Sequence, residues 1–252
     1  MKFKDFINKI LFYVAVPKCS SCGERLLSSD KALCANCRKS YNDFLTFNCS
    51  VCSLPYNECE CSTKYLKSHY VHKVYKVFRY FPGDEPPTNM LIYKLKRENR
   101  HDVVEFLVSE LKTSLLNKNI RLDNTVITNV PRRRASVIKY GFDHAQNLAK
   151  ALARELNLDY VRLLKSRAKK DQKKSEGKED RLKNAEFDYI KNSPDVSGKN
   201  VILVDDIITT GASVGACATL LKGLGAKKIS ALAIAIAYSD EYVPFKSEDR
   251  RI

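Results

Sequence analysis

The chain has 252 residues, 44% of them hydrophobic, enough to bury a sizeable core and to divide into two domains. No apolar run approaches the roughly 18–20 residues that a bilayer-spanning helix needs, so the sequence predicts no transmembrane segment. The formal net charge of +15 suits nucleic acid or phosphorylated small molecules, and equally suits a Lys-rich surface kept for solubility.

At the N-terminus, Phe3, Phe6, Ile7, Ile10, Leu11 and Val14 recur at spacings of three and four, which predicts an amphipathic helix. Asp5 and Lys9 interrupt the run and no small-residue cleavage site follows, so a packing helix is favoured over an export signal or a membrane-surface anchor. Eight of the nine cysteines then crowd between positions 19 and 61. Disulfides need an oxidising compartment, whereas two close cysteine pairs separated by a short loop supply four thiolates for tetrahedral zinc. The spacing predicts two structural zinc sites, one on Cys19, Cys22, Cys34 and Cys37, the other on Cys49, Cys52, Cys59 and Cys61. Residues 1–66 thus read as a helix and a double zinc ribbon too small to fold well without metal. Gly23 follows the first knuckle, where a sharp turn favours glycine. His69 and His72 are spare as ligands and read as loop or strand residues.

Residues 1–66 balance at +3 and residues 67–252 at +12. Each closed four-thiolate zinc site adds about −2, so the metallated ribbons fall to about −1 and the body carries the basic charge. The ribbons read as scaffold; any contact of theirs with nucleic acid would fall to Lys18, Arg25, Arg38 and Lys39.

From residue 67 the periodicities alternate. Val71–Phe81 reads as a strand, residues 84–88 as a Pro-rich break, and Val103, Phe106, Leu107, Leu111 and Leu115 as a helix face. Val126–Pro131 is a strand. Ala145, Leu148, Ala149, Leu152 and Leu156 form another helix face, with Asp143 as its N-cap. Residues 162–183 hold ten Lys/Arg against four acids and no aromatic residue, which predicts a flexible basic loop. Its Lys169, Lys170, Lys173 and Lys174 are the candidates for gripping DNA phosphates. Val201–Val204 is a buried strand, Val214–Leu224 a helix ended by Gly225, and Ile229–Ala237 a last apolar strand. Cys217, on the apolar face of that helix, reads as core. The expected fold is α/β: a mostly parallel sheet flanked by helices over residues 67–252, with ligands at the carboxyl ends of the strands.

The stretch VILVDDIITTGAS, residues 201–213, carries the chemistry. Small residues at Thr209, Thr210, Gly211, Ala212 and Ser213 leave backbone amides open to a phosphate, with a positive helix end behind them. Asp205 and Asp206 would repel that anion but can accept hydrogen bonds from sugar hydroxyls. The economical reading is a ribose 5-phosphate site. No GxxxxGK[ST] motif competes with it, and Gly223 and Gly225 read as a helix cap.

Apolar strand, acidic pair and TTG turn resemble the 5-phosphoribosyl 1-pyrophosphate (PRPP) motif of type I phosphoribosyltransferases. With the cysteine ribbons ahead of it, the chain resembles the ComF family of competence proteins, including its ComFC and GntX-like members. Further matches are Leu95-Lys96 before Arg100-His101-Asp102, Val130-Pro131 followed by Arg132–Arg134 and Tyr140–Ala145, and Gln172, Arg181, Asn184 and Phe187. Tyr140 stands where the family usually has Arg, Asp143 where it has Asn, and His144 where it has Gln. A cation at the pyrophosphate would then come from Arg132, Arg133, Arg134 or Lys139.

The resemblance implies PRPP bound with magnesium. Thr209–Ser213 would take the 5-phosphate, Asp205 and Asp206 the ribose hydroxyls and any catalytic role, and Arg132 and Arg133 the pyrophosphate. It implies a cytoplasmic protein handling single-stranded DNA during natural transformation, beside the DNA-uptake machinery at the inner membrane. The alternative is an active phosphoribosyltransferase acting on an unidentified base.

Overall fold

The computed structural model describes residues 17–27, 30–49, 51–81, 86–118, 120–167 and 187–237, and the backbone of 242–243. The helix expected over residues 3–14, the lysines at 169, 170, 173 and 174, and Gln172, Arg181 and Asn184 lie outside the described residues.

The centre is a five-stranded, wholly parallel sheet in the order β2-β8-β7-β3-β4. Its strands are β2 (Val71–Tyr80), β3 (Thr125–Asn129), β4 (Asp159–Tyr160), β7 (Asn200–Ile208) and β8 (Lys228–Ala237). Both faces of this sheet are covered, so β7 and β8 need apolar side chains on both sides and read as continuous hydrophobic runs. The pleat then divides them: Ile202 and Val204 enter one core, Val201 and Leu203 the other.

The first face is covered by α3 (Pro87–Glu98), α4 (His101–Leu116) and α6 (His144–Leu156). In α4 the stripe Val103, Phe106, Leu107, Leu111 and Leu115 is buried, and in α6 the stripe Ala145, Leu148, Ala149, Leu152 and Ala153. Asp143 caps α6 by accepting from the Gln146 amide at 3.1 Å, and Asn157 closes it in the left-handed conformation. The short α5 (Arg134–Tyr140) buries no residue. The second face is covered by α7 (Ala212–Gly223), by α2 (Lys64–Ser68) and by a small hairpin of β5 (Leu164–Ser166) and β6 (Phe187–Tyr189). A bidentate pair, Arg167 to Asp188 at 2.5–2.6 Å, ties the two strands of that hairpin together.

The cysteine-rich segment straddles the sheet. Cys19 and Cys34, with α1 (Ala35–Leu45), belong to the first core, and Cys49, Cys59 and Cys61 to the second. Tyr41 anchors α1: its ring meets Phe78 and Phe106 edge-on, and its hydroxyl donates to Glu110 Oε2 at 2.9 Å. Arg100 donates to the Lys18 carbonyl at 2.7 Å and pairs with Asp102, tying the first ribbon to the start of α4. On the second side, the two-residue β1 (Ser62–Thr63) pairs antiparallel with β9 (Tyr242–Val243), and α2 follows at once.

Candidate functional site

Strand β7 runs on to Ile208, so Asp205 and Asp206 lie within it instead of ending it, and the pleat sends them to different sides. Asp206 faces the α3/α6 layer. It is 7% exposed and meets His144 Nε2 at 2.6 Å and Lys96 Nζ at 3.2 Å. Asp205 faces α7, near enough that its charge, after burial, helps push the Cys217 thiol up.

The two carboxyls are therefore not equivalent. Burial and the neighbouring Asp206 hold Asp205 well above the usual carboxylate range. Burial works against ionising Asp206 too, but the His144 hydrogen bond and the Lys96 charge outweigh it and hold that group below the usual range. Asp206 Oδ1 also accepts from the Ile207 amide at 2.6 Å.

The contact chain continues beyond His144. Arg132 Nη1 lies 2.9 Å from His144 Nδ1. Guanidinium only donates, so Nδ1 accepts and the ring proton is on Nε2, the nitrogen that meets Asp206. The Arg132 amide in turn donates to the Asp143 carboxylate that caps α6. Arg132, His144, Asp206 and Lys96 thus form one connected line from the loop after β3 to the end of α3. Arg133 is exposed at the start of α5. Tyr140 lies within 6 Å of three cations, Arg132 at 4.7 Å, Lys139 at 5.3 Å and Arg97 at 5.8 Å. It brings no charge of its own, yet the cations gather around its ring.

After Ile208 the chain turns through Thr209, exposed, and Thr210, partly exposed, into α7. Gly211 is the N-cap, at φ +80°, a conformation that favours glycine. The Gly215 amide makes an intrahelical bond to the Gly211 carbonyl at 2.8 Å, so the amides of Ala212, Ser213 and Val214 precede the helical ladder. Thr210 Oγ1 takes the Ala212 amide at 3.3 Å. The turn is thus a small-residue helix N-terminus, suited to an anion. No signal in the sequence marked Lys96 and His144 as partners of Asp206; three separate elements bring them together.

Each cysteine quartet places its four Sγ atoms within 4.8 Å of one another. Cys22 and Cys34 stand 3.6 Å apart, close to the edge of about 3.8 Å that Zn–S bonds of about 2.3 Å give a tetrahedron. The donor set fits zinc. Amides donate to knuckle sulfurs, Cys34 N–H to Cys19 and Cys61 N–H to Cys59, both at 3.3 Å. The hydrogen bond from Cys61, with the charge of Lys76, brings the Cys59 thiol down to about 4. Gly23 turns the first knuckle at φ +77°. His69 instead stacks on Tyr65 at 3.9 Å, His72 lies in β2, and neither joins a quartet.

Residues 143–249 match the phosphoribosyl transferase domain family. Competence protein F of Haemophilus influenzae is 24% identical over 228 residues, covering 87% of this chain and 97% of that protein. Ribose-phosphate pyrophosphokinase 2 of Archaeoglobus fulgidus is 52% identical over 40 residues, which span 16% of this chain and only 15% of that protein. Among solved structures, the purine phosphoribosyltransferase of Pyrococcus horikoshii superimposes with a TM-score of 0.37 at 19% identity, over 57% of this chain and 80% of that one. No helix among the described residues is long and apolar enough to cross a membrane.

Proposed function

We propose that this chain, a homologue of competence protein F carrying a phosphoribosyl transferase domain, binds PRPP with magnesium at the β7–α7 turn and handles single-stranded DNA in natural transformation. The observation that carries the ligand reading is the helix N-terminus after Gly211, where the Ser213 and Val214 amides precede the helical ladder, following a strand that holds one ionised acid, Asp206, against His144 and Lys96. The 5-phosphate sits on the turn amides and hydroxyls. The ribose hydroxyls donate to Asp205 and Asp206, and the pyrophosphate meets Arg132 and Arg133. Magnesium would be held mainly by ligand oxygens and waters, and it would neutralise pyrophosphate charge.

Calorimetry with PRPP and Mg2+ tests the ligand. Binding should be lost in Asp205→Ala/Asp206→Ala; unchanged affinity in that variant removes the reading.

The cellular role rests on the homologue's printed name and on the +12 body. The lysines at 169, 170, 173 and 174 supply phosphate contacts, the chain works in the cytoplasm, and it docks on the uptake machinery at the inner membrane. Retention of labelled single strands at low salt, falling steeply with added salt, is expected; a wild-type protein that retains none at low salt defeats it.

A second reading, catalysis, is favoured by the inequality of the two acids: one carboxyl held up and one held down is the arrangement acid–base work uses. In that case a base nitrogen displaces pyrophosphate from C1 of the ribose, and the protein stabilises the departing charge with Arg132 and Arg133 while excluding water. A screen for base-dependent pyrophosphate release decides it.

A further inference from the structure

Arg132 is held on three sides. Its amide donates to Asp143 Oδ2 at 3.0 Å, and its guanidinium lies 4.7 Å from the Tyr140 ring centroid. Its Nη1 donates to His144 Nδ1 at 2.9 Å and to the Phe142 carbonyl at 3.4 Å, which engages both hydrogens of that nitrogen. No described residue accepts from Nε or Nη2. Guanidinium presents its N–H groups as a rigid fork, and the Nε–Nη2 edge left over here matches two oxygens of a phosphate.

His144 sets this arrangement. It is 7% exposed, so water offers little substitute for either of its neighbours. A neutral imidazole has one acceptor and one donor nitrogen, and this ring faces one partner for each. Arg132, which only donates, stands at Nδ1, and the Asp206 carboxylate lies 2.6 Å from Nε2. The charged groups around the ring come from every element packed on it. Asp206 belongs to β7, Lys96 to α3 at 3.2 Å from Asp206, Arg132 to the loop after β3, and Asp143 to the turn before α6. Behind Arg132 stand Tyr140 and Lys139 of α5, and Asp205 faces the other side of the sheet. Asp206 favours a second ring proton, whereas Arg132 and Lys96 oppose it. Wherever that balance sets the titration, the consequence is geometric: a proton on Nδ1 would set N–H against N–H and cation against cation at 2.9 Å, and the guanidinium must move.

We propose that His144 is the positioning residue for Arg132: only its neutral ring accepts from Nη1 and leaves the Nε–Nη2 edge for a phosphate of the ligand, so affinity falls when the ring gains a second proton. This rests on the PRPP reading and deepens it, by giving that site a dependence on pH.

The test compares the full-length protein with His144→Gln, whose amide offers an acceptor and a donor but does not titrate, and with His144→Phe, which offers neither. In calorimetry with PRPP and Mg2+ at pH 8, His144→Phe should bind about tenfold more weakly than wild type, the size of one lost contact to a charged group, with His144→Gln between the two. Between roughly pH 8 and pH 5, where histidines change charge, wild-type affinity should fall about tenfold further than that of His144→Gln. Protonation of PRPP itself is common to both proteins and cancels. In a 15N spectrum recorded without ligand, the Arg132 Nε–H signal should move as the His144 ring titrates and stay in place in His144→Gln. Should His144→Phe not fold, the glutamine variant and the spectrum still decide. PRPP binding with equal pH profiles in wild type and His144→Gln, or an Arg132 signal indifferent to the ring, overturns the role of His144 alone. A wild-type protein that binds no PRPP at any pH overturns the PRPP reading, and this proposal with it.

Discussion

Leu66 fills the space in front of Gly211: a Cβ added to Gly211 would stand 2.7 Å from Leu66 Cγ. One helical turn on, a Cβ on Gly215 would stand 2.5 Å from Tyr65 Cε1. The candidate phosphate turn is therefore seated directly on α2, and α2 starts three residues after Cys61 of the second quartet. The second cysteine quartet and the turn belong to one packed unit.

Gly211→Ala should destabilise the protein twice over. The left-handed φ costs an L-residue about 1–2 kcal/mol, and the displaced Leu66 adds about 1–3 kcal/mol of overpacking. At roughly 2–4 °C per kcal/mol, the melting temperature should fall by about 5 °C or more. Leu66→Ala in the same chain relieves only the steric part. A double-mutant cycle should show coupling between the two sites; simple additivity would mean that they do not press on each other.

Disrupting the second quartet should reach the turn. Cys59→Ser/Cys61→Ser is expected to weaken PRPP binding about tenfold or more, an order of magnitude set by losing one well-placed anion contact. Cys19→Ser/Cys22→Ser, in the ribbon on the other face of the sheet, should leave affinity within about threefold, since distant sites are largely independent. Equal losses from both pairs would break the link between α2 and the turn.

The acidic pair should answer to pH with opposite signs. Asp205 has its folded pKa raised, so ionising it disfavours the folded state as pH climbs from the unfolded value of about 3.9 towards the folded one. Asp205→Asn should therefore raise the melting temperature at pH 7, and the gain should vanish near pH 4. Asp206 has its folded pKa lowered, so its stabilisation is present above about pH 3.9 and is lost as pH falls through the folded value. Asp206→Asn should lower the melting temperature at pH 7. Melting curves from pH 4 to 8 decide it, and two variants moving in the same direction contradict the asymmetry.

Much of this fold is legible because periodicity and burial coincide. The stripes of α4 and α6, the Asp143 cap and the continuous apolar runs of β7 and β8 follow from residues that must face a core. Helix α3 escaped because its Pro86-Pro87 start reads as a break, although proline suits a first helical turn. Helix α1 escaped because Tyr41 is its one buried residue, leaving no apolar stripe. At the site, the phosphate turn is local and therefore readable. The Lys96–Asp206–His144–Arg132 line is not, since its members come from α3, β7, α6 and the loop after β3, and only the packing of those elements brings them together. The twin acids look alike in sequence, and the pleat alone gives them different surroundings.

Lys76 provides the sharpest test of the metal assignment. It is 1% exposed, in the middle of β2, with Nζ donating to the Cys59 carbonyl at 2.8 Å and the Cys61 carbonyl at 3.1 Å. A buried cation is costly unless anions surround it, and a four-thiolate zinc site carries about −2. Lysine and metal site therefore support each other. Lys76→Met removes the charge while filling the same space, so it should release the second ion and leave the first: metal analysis should drop from two ions per chain, one for each quartet, towards one. Losing the buried partner should also cost about 3–5 kcal/mol in the metal-loaded protein. The penalty should shrink after chelation, because the metal-free quartet carries less negative charge than the closed four-thiolate site. A Lys76→Met protein that keeps both ions and melts like wild type would show that this cation does not serve the metal.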